Sequence, residues 1–345
     1  MSIRVHDRLR PSIHPTYARL LCAHLRQCGF DTATILKGTR LRWEQLMGDN
    51  RFLSLEQMTR LIRRAIRLTD KPWLGLEVGQ ITMVSAHGPV GYAAVAANDL
   101  RQVLETVTRF SALRLQLMTY HFRENEDDCV IWADEHLDFG DAREYILGVN
   151  LATLFRLVET ITAQPLREAR IEFPFPEPEW SAVYEDKLGC PVSFGAPVYA
   201  VRMPRQLLDT PCLTADPMAW RTAVRECEHA LHQMESGGAM SQRIRNFLLE
   251  SEGAYPTLEE LAGEFAMSRR TLIRKLKAEN TSYQELLDEV RQELAAWYLL
   301  NTDTPVERVA EKLGYRDTSN FSRTFRRWFG ETPRQMRAGA GRAHS

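Results

Sequence analysis

TLEELAGEFAMSRRTLIRKLKAEN (residues 257–280) and TPVERVAEKLGYRDTSNFSRTFRRWFG (residues 304–330) are two copies of one pattern. Leu258, Leu261, Ala262 and Phe265 fall on Val306, Val309, Ala310 and Leu313 at an offset of 48. After one extra residue in the second turn, Leu272, Arg274 and Leu276 fall on Phe321, Arg323 and Phe325 at an offset of 49. Apolar residues three and four apart, interrupted by a short turn, predict a short amphipathic helix, a tight turn and a second helix in each copy. That is the helix-turn-helix pattern, whose second helix enters the major groove of DNA.

Start signals support each predicted helix. Thr257–Glu260 and Thr304–Glu307 both fit a capping box, the second with Pro305 at the first helical position. Ser282–Glu285 does the same between the copies, Ser268 is placed to cap the basic helix, and Asp317 or Thr318 its counterpart. Ala262 and Ala310 are small where two steeply crossed helices approach, and Gly314 supplies a left-handed turn for which the first copy has Ala266. Between the copies, residues 283–300 contain no Gly or Pro. As a helix they form a rigid spacer of about 27 Å, set against about 34 Å between successive major-groove faces. Leu286, Leu287, Val290, Leu294, Trp297 and Tyr298 repeat along it at helical spacing and read as core.

Charge adds position to pattern. The chain has 345 residues, enough for two or three domains, and a net charge of −1, so bulk charge does not announce nucleic acid. Residues 240–345, however, carry 17 basic and 15 acidic side chains, against 27 and 30 before them. The basic residues concentrate in two islands, Arg269, Arg270, Arg274, Lys275 and Lys277 in the first copy, and Arg316, Arg323, Arg326, Arg327, Arg334 and Arg337 around the second. One such island is ordinarily a solvated face. Two at matching places in a repeat point to double-stranded DNA.

Residues 240–340 resemble the DNA-binding domain of the AraC/XylS family of bacterial regulators, most closely in GYRDTSNFSRTFRRWFGETPRQMR. Met336 departs from the aromatic residue common in the family, and Ala266 from its turn glycine. The resemblance implies that Arg270, Ile273 and Arg274 face bases in the first unit. The corresponding positions of the second are Thr318, Ser319, Asn320 and Arg323. Arginine holds guanine bidentately and asparagine suits adenine, which makes Arg270, Arg274, Asn320 and Arg323 the leading specificity residues. Arg269, Thr271, Lys275, Lys277, Arg326, Arg327 and Arg334 are expected at phosphates, where they add affinity without sequence information.

The domain expectations are residues 1–232 for effector sensing and dimerisation, a linker at 233–240 (QMESGGAM), and a DNA-binding domain at 241–340. Within the last, the helix-turn-helix units occupy 257–279 and 304–329, with the linker helix at 283–300. In the first part, residues 15–70 are helical in pattern, and a helix follows GPVGY through Leu113. LQLMTYHF and DCVIWADE read as a hairpin, residues 142–162 as a helix, and REARIEFPF, PVSFG and YAVRMP as strands, with a further helix around 181–187. The fold class is therefore an α+β domain followed by an all-α domain. LGLEVGQ, GPVGYAAVAANDLRQVLE and LGCPVSFGAPVYAVRMPRQLLDTPCLTADP resemble the N-terminal domain termed arabinose-binding in one branch of AraC-type regulators, over roughly residues 20–215. The resemblance implies a small-molecule pocket, often a dimer contact, and contact with RNA polymerase; the domain's name does not fix a sugar as ligand. His87, His121, Trp132, Arg143 and Tyr145 are candidates for the pocket.

Other classes are poorly served. No Gly-rich phosphate loop, GxSxG or HExxH occurs, so no enzyme and no cofactor are expected, and nothing favours Cys190 or Cys212 as a nucleophile. Cys227, His229 and His232 are spaced to share a helix face, but no second pair completes a metal site, and a structural role is expected. Scattered cysteines, the absence of a signal-like N-terminus and the absence of long apolar runs suit the cytoplasm. The expected function is a DNA-binding transcription regulator, an activator under effector control. The alternatives are a ligand-independent regulator or an architectural DNA-binding protein.

Overall fold

The computed structural model describes residues 5–47, 52–235, 239–251 and 253–341. The chain forms two compact units, one of residues 11–236 and one of residues 1–10 with 237–345. The first helix, α1 (Val5–Leu9), belongs to the second unit; its Leu9 is buried in that unit's core, and Arg10 pairs with Glu250. The expected sensor domain of residues 1–232 includes these residues, whereas burial of the Leu9 side chain fixes them against the other core.

The larger unit begins with a two-stranded ribbon, β1 (Pro11–Ile13) with β2 (Leu53–Ser54), around the helices α2 (Thr16–Gln27), α3 (Thr32–Leu36) and α4 (Trp43–Met47). Ser54 opens α5 (Leu55–Thr69) with a complete capping box. Next come α6 (Leu74–Ile81), α7 (Pro89–Ala96) and α8 (Leu100–Phe110). The single helix expected through Leu113 is thus two, because Asp99 turns extended and caps a new start by accepting from the Gln102 amide. The expected hairpin is β3 (Met118–Glu124) with β4 (Asp128–Glu135), closed where the Asn125 side chain accepts from the Asp127 and Asp128 amides.

After α9 (Arg143–Thr162) follow β5 (Arg170–Phe173), α10 (Ala182–Leu188), β6 (Val192–Phe194), β7 (Tyr199–Pro204) and α11 (Pro217–Glu235). The sheet order is β3-β4-β7-β5-β6, antiparallel except for the β5–β6 pair. On β4, Cys129, Ile131 and Ala133 are buried while Val130 and Trp132 alternate to the other face, the signature of a sheet with one face on the core. Among the described residues, α9 with the turn before it is the one helix long and apolar enough to cross a membrane. Here it is a core helix. It packs on α6, where a side chain on Gly75 would meet the Tyr145 carbonyl at 2.4 Å and one on Gly79 the Ala152 methyl at 2.6 Å.

The second unit is all helical: α12 (Met240–Glu250), α13 (Leu258–Glu264), α14 (Arg269–Ala278), α15 (Tyr283–Asn301), α16 (Val306–Lys312), α17 (Thr318–Phe329) and α18 (Pro333–Gly341). Its core gathers the repeat's apolar positions, with Leu261, Leu272 and Leu276 of one copy and Val309, Phe321 and Phe325 of the other fully buried, and Met336 of α18 buried among them. Of the residues called linker, Gln233–Glu235 finish α11 and Met240 starts α12; 236–238 lie outside the described residues.

Candidate DNA interface and effector cavity

Ser268 opens α14 by accepting from the Thr271 amide, and Asp317 opens α17 by accepting from the Asn320 amide at 2.6 Å. Thr257 forms its complete capping box on α13. The matching box on α16 does not form. Pro305 itself is the N-cap, and Thr304 lies outside the helix, exchanging a hydrogen bond with the Thr302 hydroxyl. Both turns do take the left-handed conformation, Gly314 at φ 73° and Ala266 at φ 50°.

These caps set the rotation of the two second helices. With Leu272 and Leu276 buried, Arg269, Arg270, Arg274, Lys275 and Lys277 are exposed on α14, while Ile273 and Thr271 are half-buried. Thr271 is also engaged locally, its hydroxyl 2.9 Å from that of Ser268. On α17, Ser319, Asn320, Arg323, Arg326 and Arg327 are exposed and Thr318 is half-buried. Arg334, on α18, lies 3.8 Å from Glu307. The first turn of α14 holds two arginines and no acid, although the partial positive charge of a helix start disfavours cations there. The start of α17 keeps to that rule, with Asp317 as its cap and its arginines, Arg323, Arg326 and Arg327, further along the helix.

Three features of this unit escaped the sequence. Asp317 does more than cap: its second oxygen accepts from the Asn320 side-chain amide at 2.8 Å, and Asn320 in turn accepts from Arg323 at 2.7 Å. Arg291 of the spacer helix lies over the Tyr255 and Tyr315 rings, at 4.8 and 5.1 Å, and donates to the Leu313 carbonyl at 3.0 Å, which holds the second turn. Glu279, at the end of α14, accepts from the Met240 and Ser241 amides at 2.8 Å each, so one carboxylate fastens α14 to the start of α12. The last two are long-range pairings that no local spacing announces. Asp317 was legible as a cap but not as an orienting group.

In the larger unit a cavity of about 110 Å³ lies between the inner face of the sheet and the helices. Its wall is mostly apolar, with Val90, Val107, Ile131, Leu154 and Leu157 among the lining residues, and a second space of about 50 Å³ adjoins it through Tyr17, Thr82, His87, Leu115, Asn150 and Thr153. His87 lines both. Its Nδ1 is 2.9 Å from the Tyr17 hydroxyl, and burial, reinforced by the nearby Arg114 guanidinium, pulls the imidazole down to about 4. Arg114 donates through Nε to the His87 carbonyl at 2.9 Å. Tyr145 borders the smaller space, and burial raises its hydroxyl pKa.

The other three pocket candidates lie elsewhere. His121 and Trp132 are cross-strand partners on the outer face of the sheet, rings stacked 4.9 Å apart at 18°. Arg143 is held by Glu135 at 2.8 Å. The lining residues of β3 and β4 are instead their neighbours Tyr120 and Ile131, because side chains alternate along a strand and a choice one residue off selects the wrong face. Tyr17 of α2, Asn150 of α9 and Arg114 in the connection between α8 and β3 also line the cavity, and no local spacing announces their meeting.

Cys190 and Cys212 are buried, and burial pushes both thiols up to about 11, the opposite of what a nucleophile needs. Cys227 is buried among Val90, Ala93 and Phe110, whereas His229 and His232 are exposed, so the three do not converge.

Two helix-turn-helix units on one spacer helix, carried in one chain with an α+β unit, define a DNA-binding transcription regulator. Residues 29–212 match the family model described as the arabinose-binding domain of AraC transcription regulator, N-terminal, and residues 261–339 match a helix-turn-helix domain. The ornithine utilization regulator of Pseudomonas aeruginosa is 31% identical over 323 residues, 93% of this chain and 95% of that protein. The uncharacterized HTH-type transcriptional regulator Rv1395 of Mycobacterium tuberculosis is 30% identical over 335 residues, again 93% and 95%. Among solved structures, transcriptional regulator CdpR from Pseudomonas aeruginosa is 24% identical, with a TM-score of 0.48 over 94% of this chain and 98% of that one. The chain belongs to the AraC family of transcription regulators.

Proposed function

We propose that this regulator activates promoters by reading DNA with α14 and α17, under control of a small molecule held in the cavity of the larger unit. Arg270, Ile273 and Arg274 on the first helix, and Thr318, Ser319, Asn320 and Arg323 on the second, meet base edges. Arg269, Thr271, Lys275, Lys277, Arg326, Arg327 and Arg334 meet phosphates. The observation that carries this is the exposed basic surface on the second helix of each copy, Arg269, Arg270, Arg274, Lys275 and Lys277 on α14 and Arg323, Arg326 and Arg327 on α17, each helix fixed by its own N-cap. Activation is favoured by the name of a relative, the transcriptional activator NphR of Rhodococcus sp, 44% identical over 77 residues. Contact with RNA polymerase, a homodimer through the larger unit and a cytoplasmic location belong to the same proposal.

The test is promoter binding by the full chain and by Arg274→Ala. The substitution should cost roughly 1–3 kcal/mol on the cognate site and relax preference at one position. Equal losses on promoter and random DNA would refute base reading. Control by a ligand is checked by screening metabolites for a shift in melting temperature together with a change in promoter affinity.

A further inference from the structure

The reading of the cavity as an effector site leaves the ligand's chemistry open, and the wall narrows it. Most of the exposed wall is apolar, which suits a compact hydrocarbon body, and polar groups such as Tyr17, His87, Arg114 and Asn150 are set into it. Among the described residues, the charged group in the wall is Arg114, and neither Asp nor Glu lines either space. An ammonium group entering there would meet the like charge of Arg114. Beside Arg114, the His87 Nε2 is buried with no hydrogen-bond partner. In the tautomer in which the Tyr17 hydroxyl donates to Nδ1, the ring proton is on Nε2, a buried donor facing an acceptor on the ligand. The two spaces, about 110 and 50 Å³, together slightly exceed the roughly 150 Å³ of an engineered cavity that takes benzene, which suits a ligand of about eight non-hydrogen atoms.

We infer that the cavity binds a small aliphatic monocarboxylate, its chain against Val107, Ile131 and Leu157 and its carboxylate between the Arg114 guanidinium and the His87 Nε2–H. Arg114 opens the segment that bonds to β1: its carbonyl accepts from the His14 amide at 3.0 Å and the Gln116 amide donates to the Ser12 carbonyl at 2.8 Å, which links the cavity wall to the start of the unit.

The proposal rests on the effector reading, and the experiment separates the two. Binding of hexanoate, hexanamide and hexylamine to the full chain is measured by calorimetry at pH 7.5. Hexanoate should bind at least tenfold more tightly than hexanamide, and hexylamine should not bind. Arg114→Gln should bring hexanoate to the level of hexanamide while leaving hexanamide unchanged. Should Arg114→Gln fail to fold, the three-compound series on the unaltered chain still decides. Hexanamide or hexylamine binding as tightly as hexanoate overturns the carboxylate assignment and leaves the effector reading standing. Failure of all three to bind also overturns it, and the effector reading then falls only if a broader metabolite screen changes neither melting nor promoter affinity.

Discussion

Asp317 is one carboxylate with two tasks, capping α17 and orienting Asn320, which holds Arg323. Asp317→Ala removes a cap worth roughly 0.5–2 kcal/mol of stability. It also removes a negative charge from a basic surface. Promoter affinity should therefore fall while binding to random DNA holds or strengthens, a drop in specificity that a competition assay reads directly. His87 gives a second residue-scale expectation. Its imidazole is drawn down to about 4 in the fold, from about 6.5 in an unfolded chain. Between those values the unfolded chain binds a proton that the folded one refuses, so stability falls as pH is lowered from about 6.5 towards 4 and is unaffected above. His87→Phe, facing Tyr17 and Arg114, should flatten that part of the pH dependence of melting, whatever it does to melting at pH 7.5.

At the scale of elements, the two copies of the repeat differ in their turns. Gly314 sits at φ 73°, and a Cβ there would lie 2.6 Å from the Gly253 carbonyl. Gly314→Ala should cost more than about 1 kcal/mol, while Ala266→Gly, at φ 50°, should gain a few tenths up to about 1 kcal/mol. Denaturant unfolding measures both; a stabilised Gly314→Ala would contradict the packing described. The elements were legible in proportion to how local their signals are. The capping box at Thr257, the cap at Ser282, the β3–β4 hairpin and the helical stripe of α15 each rest on residues close in sequence and are legible there. The failed box at Thr304 shows the limit: Pro305 takes the N-cap because its neighbours at Thr302 and Arg337 bind the Thr304 hydroxyl and carbonyl instead.

At the scale of the whole molecule, a chain of net charge −1 must draw its affinity for DNA from local islands. Binding should still weaken steeply with salt, with a slope of about 0.9 per phosphate contact. Arg327→Ala should lower that slope by about one and weaken promoter and random DNA alike, as titrations across salt concentrations will show. An unchanged slope would remove Arg327 from the phosphate contacts.

The repeat, its caps at Thr257, Ser268 and Asp317, its basic islands and the hairpin were determined by the sequence alone, because each depends on residues close to one another along the chain. Tertiary structure decided which face of β4 meets the core, and so placed Ile131 in the cavity and Trp132 outside it. It decided that Leu9 joins the second unit's core. It also brought Tyr17, His87, Arg114, Tyr120 and Asn150 together around one space. Periodicity reports that a side chain will be buried. Which distant side chains it meets there depends on the packing of whole elements, and that is where the cavity's chemistry was set.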